Sequence, residues 1–575
     1  MIKLFRYLKP YRVSVAFVLV LVFLQSLSEL YLPTLMADIV DFGIIKGDTP
    51  FIWKIGGFML LVTAGGTIVS IIASYLSSRV STGFGKLVRS KIFSHVENFS
   101  LQEFDKVGTA SLITRTTNDV TQVQQVLIMI MRMMIMAPML CIGGIIMAVS
   151  KDAKLSLVIV AVIPILAGTI FAIARKGIPL FKVMQSKIDK LNLVLREGLI
   201  GIRVIRSFNR ISHEKQRFNE ANLDVTNTAI KVNQIMAALM PVMMLILNLS
   251  TIAIIWFGGI RISEGNMQVG DLMAFIQYAM QIMFSLIMVS MMFVMIPRAS
   301  ASAVRINEVL NMAPEIKDPA RAKLAGTKKG LVEFDQVTFS YPGAEKPALS
   351  NISFQARPGE ITAIIGGTGS GKSTLISLIP RFYDVDSGSI RIDDIDVREM
   401  SQQSLRASMG FVPQKAVLFT GTITDNIRYG KEDATDEEVK HAAAVAQAGE
   451  FISSMKDGYD SLISQGGSNV SGGQKQRLSI ARALVRRPEI YIFDDSFSAL
   501  DFKTDAKLRA ALKQETTSST VLIVAQRVST VIDADQIIVL DEGQIAGIGN
   551  HRELMDTCMV YREIVSSQLS EEEIA

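Results

Sequence analysis

The residues Gly366-Gly367-Thr368-Gly369-Ser370-Gly371-Lys372-Ser373 fit the pattern G-x-x-x-x-G-K-[ST] at every position. Such a loop turns backbone N–H groups toward phosphate oxygens. Its lysine reaches the β and γ oxygens, and its last hydroxyl is offered to Mg²⁺. The flanks supply the context the motif needs. Ile361–Ile365 reads as a buried strand entering the loop, and Leu375–Leu378 begins the helix leaving it. Further on, the apolar run Ile490-Tyr491-Ile492-Phe493 ends in Asp494, a carboxylate placed to take the Mg²⁺, with Asp495 directly after it. These residues call for ATP and Mg²⁺.

Three other segments could complete such a site. Tyr341, followed by Pro342-Gly343 and standing about 25 residues before the loop, could stack on an adenine ring. Gln414 in Phe411-Val412-Pro413-Gln414 could contact Mg²⁺ or an attacking water, although a lone glutamine is more often structural. Ser471-Gly472-Gly473-Gln474, with a helix read from Lys475, combines small residues and a helix start into a second anion site. One domain has no use for two γ-phosphate cradles, so the second is expected to serve a neighbouring chain's ATP.

The elements that position these groups occupy the last 245 residues, 331–575; what precedes them is different in kind. Six apolar runs are each long enough for the roughly 20 residues that a bilayer core requires. They are Val13–Leu32, Ile55–Leu76, Val126–Val149, Leu155–Ala174, Ile235–Trp256 and Leu272–Ile296. Short connections carry Lys46 and Lys54, Lys151 and Lys154, and Arg261. Two long ones, 79–125 and 175–234, keep helical periodicity, and the second is basic from Arg175 to Arg217. With the basic start Met1–Arg12, this places both termini and both long connections in the cytoplasm. Pro297 is read as the end of the sixth span, with a helix over Ser300–Leu310 after it. The layout expected is a transmembrane domain over 1–310, a linker over 311–330 and a nucleotide domain over 331–575.

Within the spans, Gln25, Glu29, Arg132, Asn248, Gln277 and Gln281 stand out. Of these the charged Glu29 and Arg132 either line a water-filled pathway or pair inside the bundle. Methionine is dense over Met129–Met139 and Met273–Met295; helix packing explains most of it, with weak support for a broad apolar substrate range. The formal charge of +5 gives no reason to expect nucleic-acid binding. Two cysteines, Cys141 and Cys558, exclude a disulfide framework or a cysteine-rich metal site.

Taken in order, Tyr341, the loop 366–374 ending in Thr374, Gln414, Ser471-Gly472-Gly473-Gln474, Asp494 and the turn Ser498-Ala499-Leu500-Asp501 resemble the ATP-binding cassette (ABC) family. The membrane half resembles its exporters, so the resemblance covers nearly the whole chain. Phe104, Gly108, Arg115 and Asp119, and Arg203-Val204-Ile205-Arg206-Ser207-Phe208, look like the family's cytoplasmic coupling regions. The resemblance implies an α-helical six-span transmembrane domain of exporter type fused to an α/β P-loop nucleotide-binding domain. It also implies a pair of halves that sandwich two ATP molecules between phosphate loops and opposing signatures.

Two positions depart from the family. Its general base is a Glu after the magnesium Asp, whereas this chain has Asp495. One methylene shorter, it would hold a water about 1.5 Å too far back, an error that costs about 10²-fold in rate. Where the family carries His, this chain has Gln526, which donates a hydrogen bond but has neither an imidazole's charge nor its proton. The resemblance then points to the degenerate-site subunit of bacterial heterodimeric multidrug exporters, in the cytoplasmic membrane. Its partner would be a homologous half-transporter with Glu and His at these positions and an altered signature. Cargo would be a hydrophobic drug or a lipid. The competing readings are a lipid flippase half, a peptide exporter lacking the usual peptidase-like extension, and a non-transporting regulatory subunit.

Overall fold

The computed structural model describes residues 1–323 and 330–569. Residues 324–329 of the expected linker, the last six residues of the chain and the side chain of Met291 in the second methionine stretch lie outside the described residues. Contacts divide the chain into two units. One joins Met1–Glu97 to Gly108–Ala313; the other joins Asn98–Val107 to Pro314–Ala575.

The first unit consists of six long helices, Lys3–Ile44, Thr49–Val96, Thr109–Lys151, Ser156–Ile200, Ile211–Ser263 and Val269–Asn311. Each holds one of the apolar runs. The fifth has 53 residues, about 80 Å of helix, against a hydrocarbon layer about 30 Å thick. The two long connections are therefore mostly helix, broken at residues 97–100, 108, 201 and 208–210. None of the most apolar stretch of the second helix is buried by protein. An apolar surface of that length is stable only against lipid.

Pro297, read as a terminator, lies inside the helix Val269–Asn311 instead. A proline removes one backbone donor and kinks a helix, but in apolar surroundings the remaining helical hydrogen bonds are worth keeping. Pro33 shows what replaces the lost bond. In a regular helix the carbonyl of Glu29 would accept from residue 33, which here has no N–H. Gln281 Nε2, on the sixth helix, donates to that carbonyl at 3.1 Å. The fully buried Tyr278 donates its hydroxyl to the next carbonyl, Leu30 O, at 3.0 Å, with Thr34 Oγ1 2.7 Å away. The side chain of Glu29 accepts from Gln25 Nε2 at 3.0 Å. Of the two intramembrane charges, then, Glu29 is engaged. Arg132 is half-buried and makes no hydrogen bond or ion pair among the described residues.

Nearer one end of the third helix, a π-helical turn at Arg115–Asp119 aims Asp119 at the sixth helix. Arg305 forks onto both Asp119 oxygens, Nε to Oδ2 at 2.8 Å and Nη2 to Oδ1. Ser302 adds a bond of 2.9 Å. Arg115 donates to Arg305 O at 2.9 Å and pairs with Glu308 at 3.2 Å.

The second unit is built on a six-stranded sheet whose order is Gln544–Gly549, Gln536–Asp541, Ile361–Gly366, Thr520–Val524, Ile490–Asp494, Met409–Val412. All neighbours pair in parallel except the first two. Ile490–Asp494 is buried at all five positions. Tyr491 and Phe493 face one apolar cluster, Ile490 and Ile492 the other. Burial on both faces explains a continuous apolar run in place of an alternating one. A four-stranded antiparallel sheet, containing Val332–Phe339 and ending just before Tyr341, completes the unit.

The Pro33 arrangement makes a prediction. Gln281→Leu should cost about 1 kcal/mol of stability by leaving the Glu29 carbonyl without a donor. In a Pro33→Ala background, whose N–H restores that bond, the cost should largely vanish. Thermal melts of the four proteins test this, and equal costs in both backgrounds would refute it.

Candidate functional site

Parallel pairing sets Val524 opposite Ile364 on one side and Asp494 on the other, while Val412 pairs with Phe493. Four strands thus end within a few residues of one another, and the chain leaving each one enters the same crevice. Those exits carry the loop 366–373, Gln526, Asp494 with Asp495, and Gln414. A crevice beyond the carboxyl ends of parallel strands is where sheets of this type bind ligands.

The loop is shaped by its glycines. Gly371 sits at φ +99°, and a Cβ there would lie 2.8 Å from Ala348 O. Lys372 Nζ folds back to donate to Gly366 O at 2.9 Å and Gly367 O at 2.6 Å. Burial lowers its pKa, against the opposing pull of the Asp495 and Asp494 carboxylates. A triphosphate would offer this cation stronger acceptors than two carbonyls. The helix that follows runs Lys372–Leu378, three residues earlier than read from sequence. Thr374 Oγ1 lies 3.0 Å from Tyr341 Oη, tying the aromatic to the loop. Tyr341 is 39% exposed, with edge contacts to Phe339 and Tyr383.

Ser373 Oγ donates to Asp494 Oδ1 at 2.9 Å. A hydroxyl and a carboxylate side by side suit a hard cation that takes its remaining ligands from phosphate and water, so the pair fits Mg²⁺. Among the described residues no group of three or more His, Cys, Asp or Glu could hold a metal by protein alone. Gln414, expected to contact Mg²⁺ or the attacking water, donates through Nε2 to Asp495 Oδ2 at 3.2 Å. Gln526 Nε2 donates to the same oxygen at 2.9 Å. Asp495 sits in the left-handed region at φ +45°, which aspartate tolerates better than most residues, and its N–H is tied to Val524 O at 3.0 Å. Two neutral amides therefore hold the carboxylate that follows the metal position, and neither can carry a proton away.

The helix after the signature begins at Gly472, with Ser471 as its cap, rather than at Lys475. Ser471 and Gln474 form a reciprocal capping box, Gln474 Oε1 accepting from Ser471 N at 2.8 Å and Ser471 Oγ from Gln474 N at 3.3 Å. A Cβ on Gly473 would meet Ala499 O at 3.1 Å, so the signature backbone rests against the turn 498–501. Ser471 and Gly472 are exposed, and among the described residues no hydrogen bond joins 471–474 to the loop 366–374. Sequence reading missed Gln476, buried and bonded to Pro413 O at 3.4 Å just before Gln414, and Arg527, which donates to Ser498 O at 3.2 Å. Neither lies in a motif, so only their contacts reveal them.

Residues 15–286 match the ABC transporter transmembrane region, and residues 349–498 match the ABC transporter ATP-binding model. The chain is 45% identical to an uncharacterized ABC transporter ATP-binding protein of Mycobacterium tuberculosis, over 98% of this chain and 97% of that protein. The chain belongs to the ABC transporter family. It is 34% identical to a fatty acid ABC transporter ATP-binding/permease protein of Mycobacterium bovis, over 83% of this chain and 75% of the other. It is 30% identical to an ATP-dependent lipid A-core flippase of Vibrio parahaemolyticus, over 99% and 98%. A solved bacterial Atm1-family ABC exporter with ATP bound superposes with a TM-score of 0.81 at 27% identity, covering 97% of this chain and 99% of that one. The fold is that of an ABC exporter half, six apolar helices fused to a C-terminal nucleotide-binding domain. It is a multi-pass membrane protein with a cytoplasmic ATP-binding domain. That domain implies ATP binding, with Mg²⁺ its usual companion, and ATPase-coupled transport.

The buried Asp494 makes a pH prediction for this ABC exporter half. Burial raises its pKa most, the Asp495 carboxylate raises it further, and Ser373 and Lys372 oppose them. Its charged form is thus disfavoured in the folded chain, and ionisation costs stability as pH rises above the ordinary carboxylate range. Mg²⁺ requires that charged form. Mg²⁺-dependent ATP affinity should therefore weaken on acidification before ordinary carboxylates titrate. Asp494→Asn should remove the dependence without lowering the melting temperature of the nucleotide-free protein. Titration with a fluorescent ATP analogue across pH checks both, and an unchanged pH profile in the variant would exclude Asp494 as its source.

Proposed function

We propose that this chain is one half of a heterodimeric exporter of lipids or other hydrophobic compounds, and that its own phosphate loop retains ATP rather than hydrolysing it. The observation that carries this reading is the Asp495 carboxylate, held on one oxygen by Gln414 and Gln526. A hydrolytic site needs a base within reach of the attacking water and a group that stabilises charge at the γ-phosphate. Here the carboxylate is short and engaged, and the neighbouring amide is neutral. Lys372, Ser373, Thr374, Asp494 and Tyr341 still supply what ATP and Mg²⁺ binding require.

The exposed Ser471 and Gly472 at the head of the signature 471–474 support a second chain whose ATP the signature completes. The exposed apolar tip between the fourth and fifth helices, with Ile200 80% and Phe208 74% exposed, supports the same conclusion, since such side chains want a protein surface. The partner would carry Glu and His where this chain has Asp495 and Gln526, and hydrolysis at that composite site would reset the transporter. We read the membrane domain as ending near residue 310 and the nucleotide domain as beginning near 331.

Relatives named for fatty acid and lipid A-core transport favour a lipid or a lipid-like amphiphile as cargo. A multidrug range is compatible with the same apolar bundle. The six complete spans favour transport over a purely regulatory role. We place the protein in a bacterial cytoplasmic membrane.

Steady-state ATP hydrolysis decides the matter. The purified chain alone should be at least about tenfold slower than the chain with its partner, and Asp495→Glu should change the pair's rate by less than about twofold. Robust hydrolysis by the chain alone would sink the retaining-site reading.

A further inference from the structure

The segment after the sixth helix is pinned rather than slack. Glu103, 6% exposed, takes Ser100 N at 2.7 Å and Ser100 Oγ at 2.6 Å on Oε2, which fixes the start of the short helix Leu101–Val107. Its other oxygen, Oε1, accepts from Glu315 N at 3.1 Å. Two residues on, Lys317 O accepts from Arg381 Nη1 at 3.3 Å. Arg381 is 5% exposed and is locked by a fork to Asp384 at 2.7 and 3.0 Å. Beyond it, Asp318 takes Gln402 N at 3.0 Å and Lys323 pairs with Glu399 at 2.7 Å.

Arg381 also closes the helix that leaves the phosphate loop. Its N–H donates to Leu378 O at 3.0 Å, and Ser377 Oγ in that helix donates to Ser373 O at 2.6 Å. An unbroken run of hydrogen bonds and a few covalent links therefore leads from Ser373 to Leu101–Val107, all within one compact unit. A slack tether would absorb any shift of the phosphate-loop helix. A tether fastened at Glu315 and Lys317 passes it on.

We propose that Glu103 and Arg381 are positioning residues that carry the occupancy of this chain's own nucleotide loop to the helix Leu101–Val107 through the residues 315–317. This link rests on ATP binding at 366–374 and is independent of whether that ATP is hydrolysed. It gives a nucleotide-retaining site a means of acting on the cytoplasmic helix without turnover.

Hydrogen exchange of the full-length protein in lipid nanodiscs, with and without Mg²⁺ and a non-hydrolysable ATP analogue, tests it. In the natural sequence the analogue should slow exchange by about threefold or more at both 366–378 and 101–107. In Glu103→Ala and in Arg381→Ala, slowing should remain at 366–378 and disappear at 101–107, with affinity for the analogue changed by less than about twofold. Should Glu103→Ala fail to fold, Glu103→Gln, which keeps an acceptor for Glu315 and loses the one for Ser100, should give an intermediate response. Persistent slowing at 101–107 in the folded variants would overturn the proposal. Absence of slowing at 366–374 in the natural sequence would overturn the nucleotide reading itself, and the link with it.

Discussion

Pairing of Val524 with both Ile364 and Asp494 sets the register on which the nucleotide site depends. Side chains alternate faces along a strand, so a slip of one residue would turn Asp494 into an apolar cluster and Phe493 toward the crevice. Burial of all five residues from Ile490 to Asp494 forbids that slip, because each face already has apolar partners. Four chain exits then converge without any one of them being strained into place, apart from the sharp turn at Asp495.

Convergence has an electrostatic cost that the ligand offsets. Asp494 and Asp495 stand together, both buried, with Lys372 as the nearby cation, and burial disfavours the charges of both Asp494 and Lys372. Within the polypeptide, carbonyls partner the lysine, Ser373 partners Asp494, and two amides partner Asp495. A bound Mg²⁺ and triphosphate would supply the countercharges that the polypeptide lacks.

In the membrane unit the governing constraint is the backbone hydrogen bond, since lipid offers no replacement for one that is lost. Pro33 breaks the helical ladder, and Gln281 repairs it from the sixth helix while Tyr278 adds a bond to the next carbonyl, which turns a local defect into a joint between two helices. The π turn at Arg115–Asp119 does similar work lower on the third helix. Its extra residue brings Asp119 under the fork of Arg305, where a buried carboxylate is tolerable because all its partners are present.

The sequence by itself determined the classes of element and the ligand chemistry. Long apolar runs can only be spans, and the glycine-rich loop with its lysine and serine can only be a phosphate cradle, because both signals are local and contiguous. The positions of Asp494, Gln414 and Tyr341 as candidates were legible for the same reason. What the tertiary structure decided was partnership. That Gln414 and Gln526 share one oxygen of Asp495, that Gln281 serves a carbonyl freed by Pro33, and that Glu103 reaches Glu315 across more than two hundred residues depends on strand register and helix packing. Helix ends also escaped local reading. Pro297 was misread as a helix end and Lys475 as a helix start, because a proline can be carried inside an apolar helix and because the signature residues are themselves the cap and first turn.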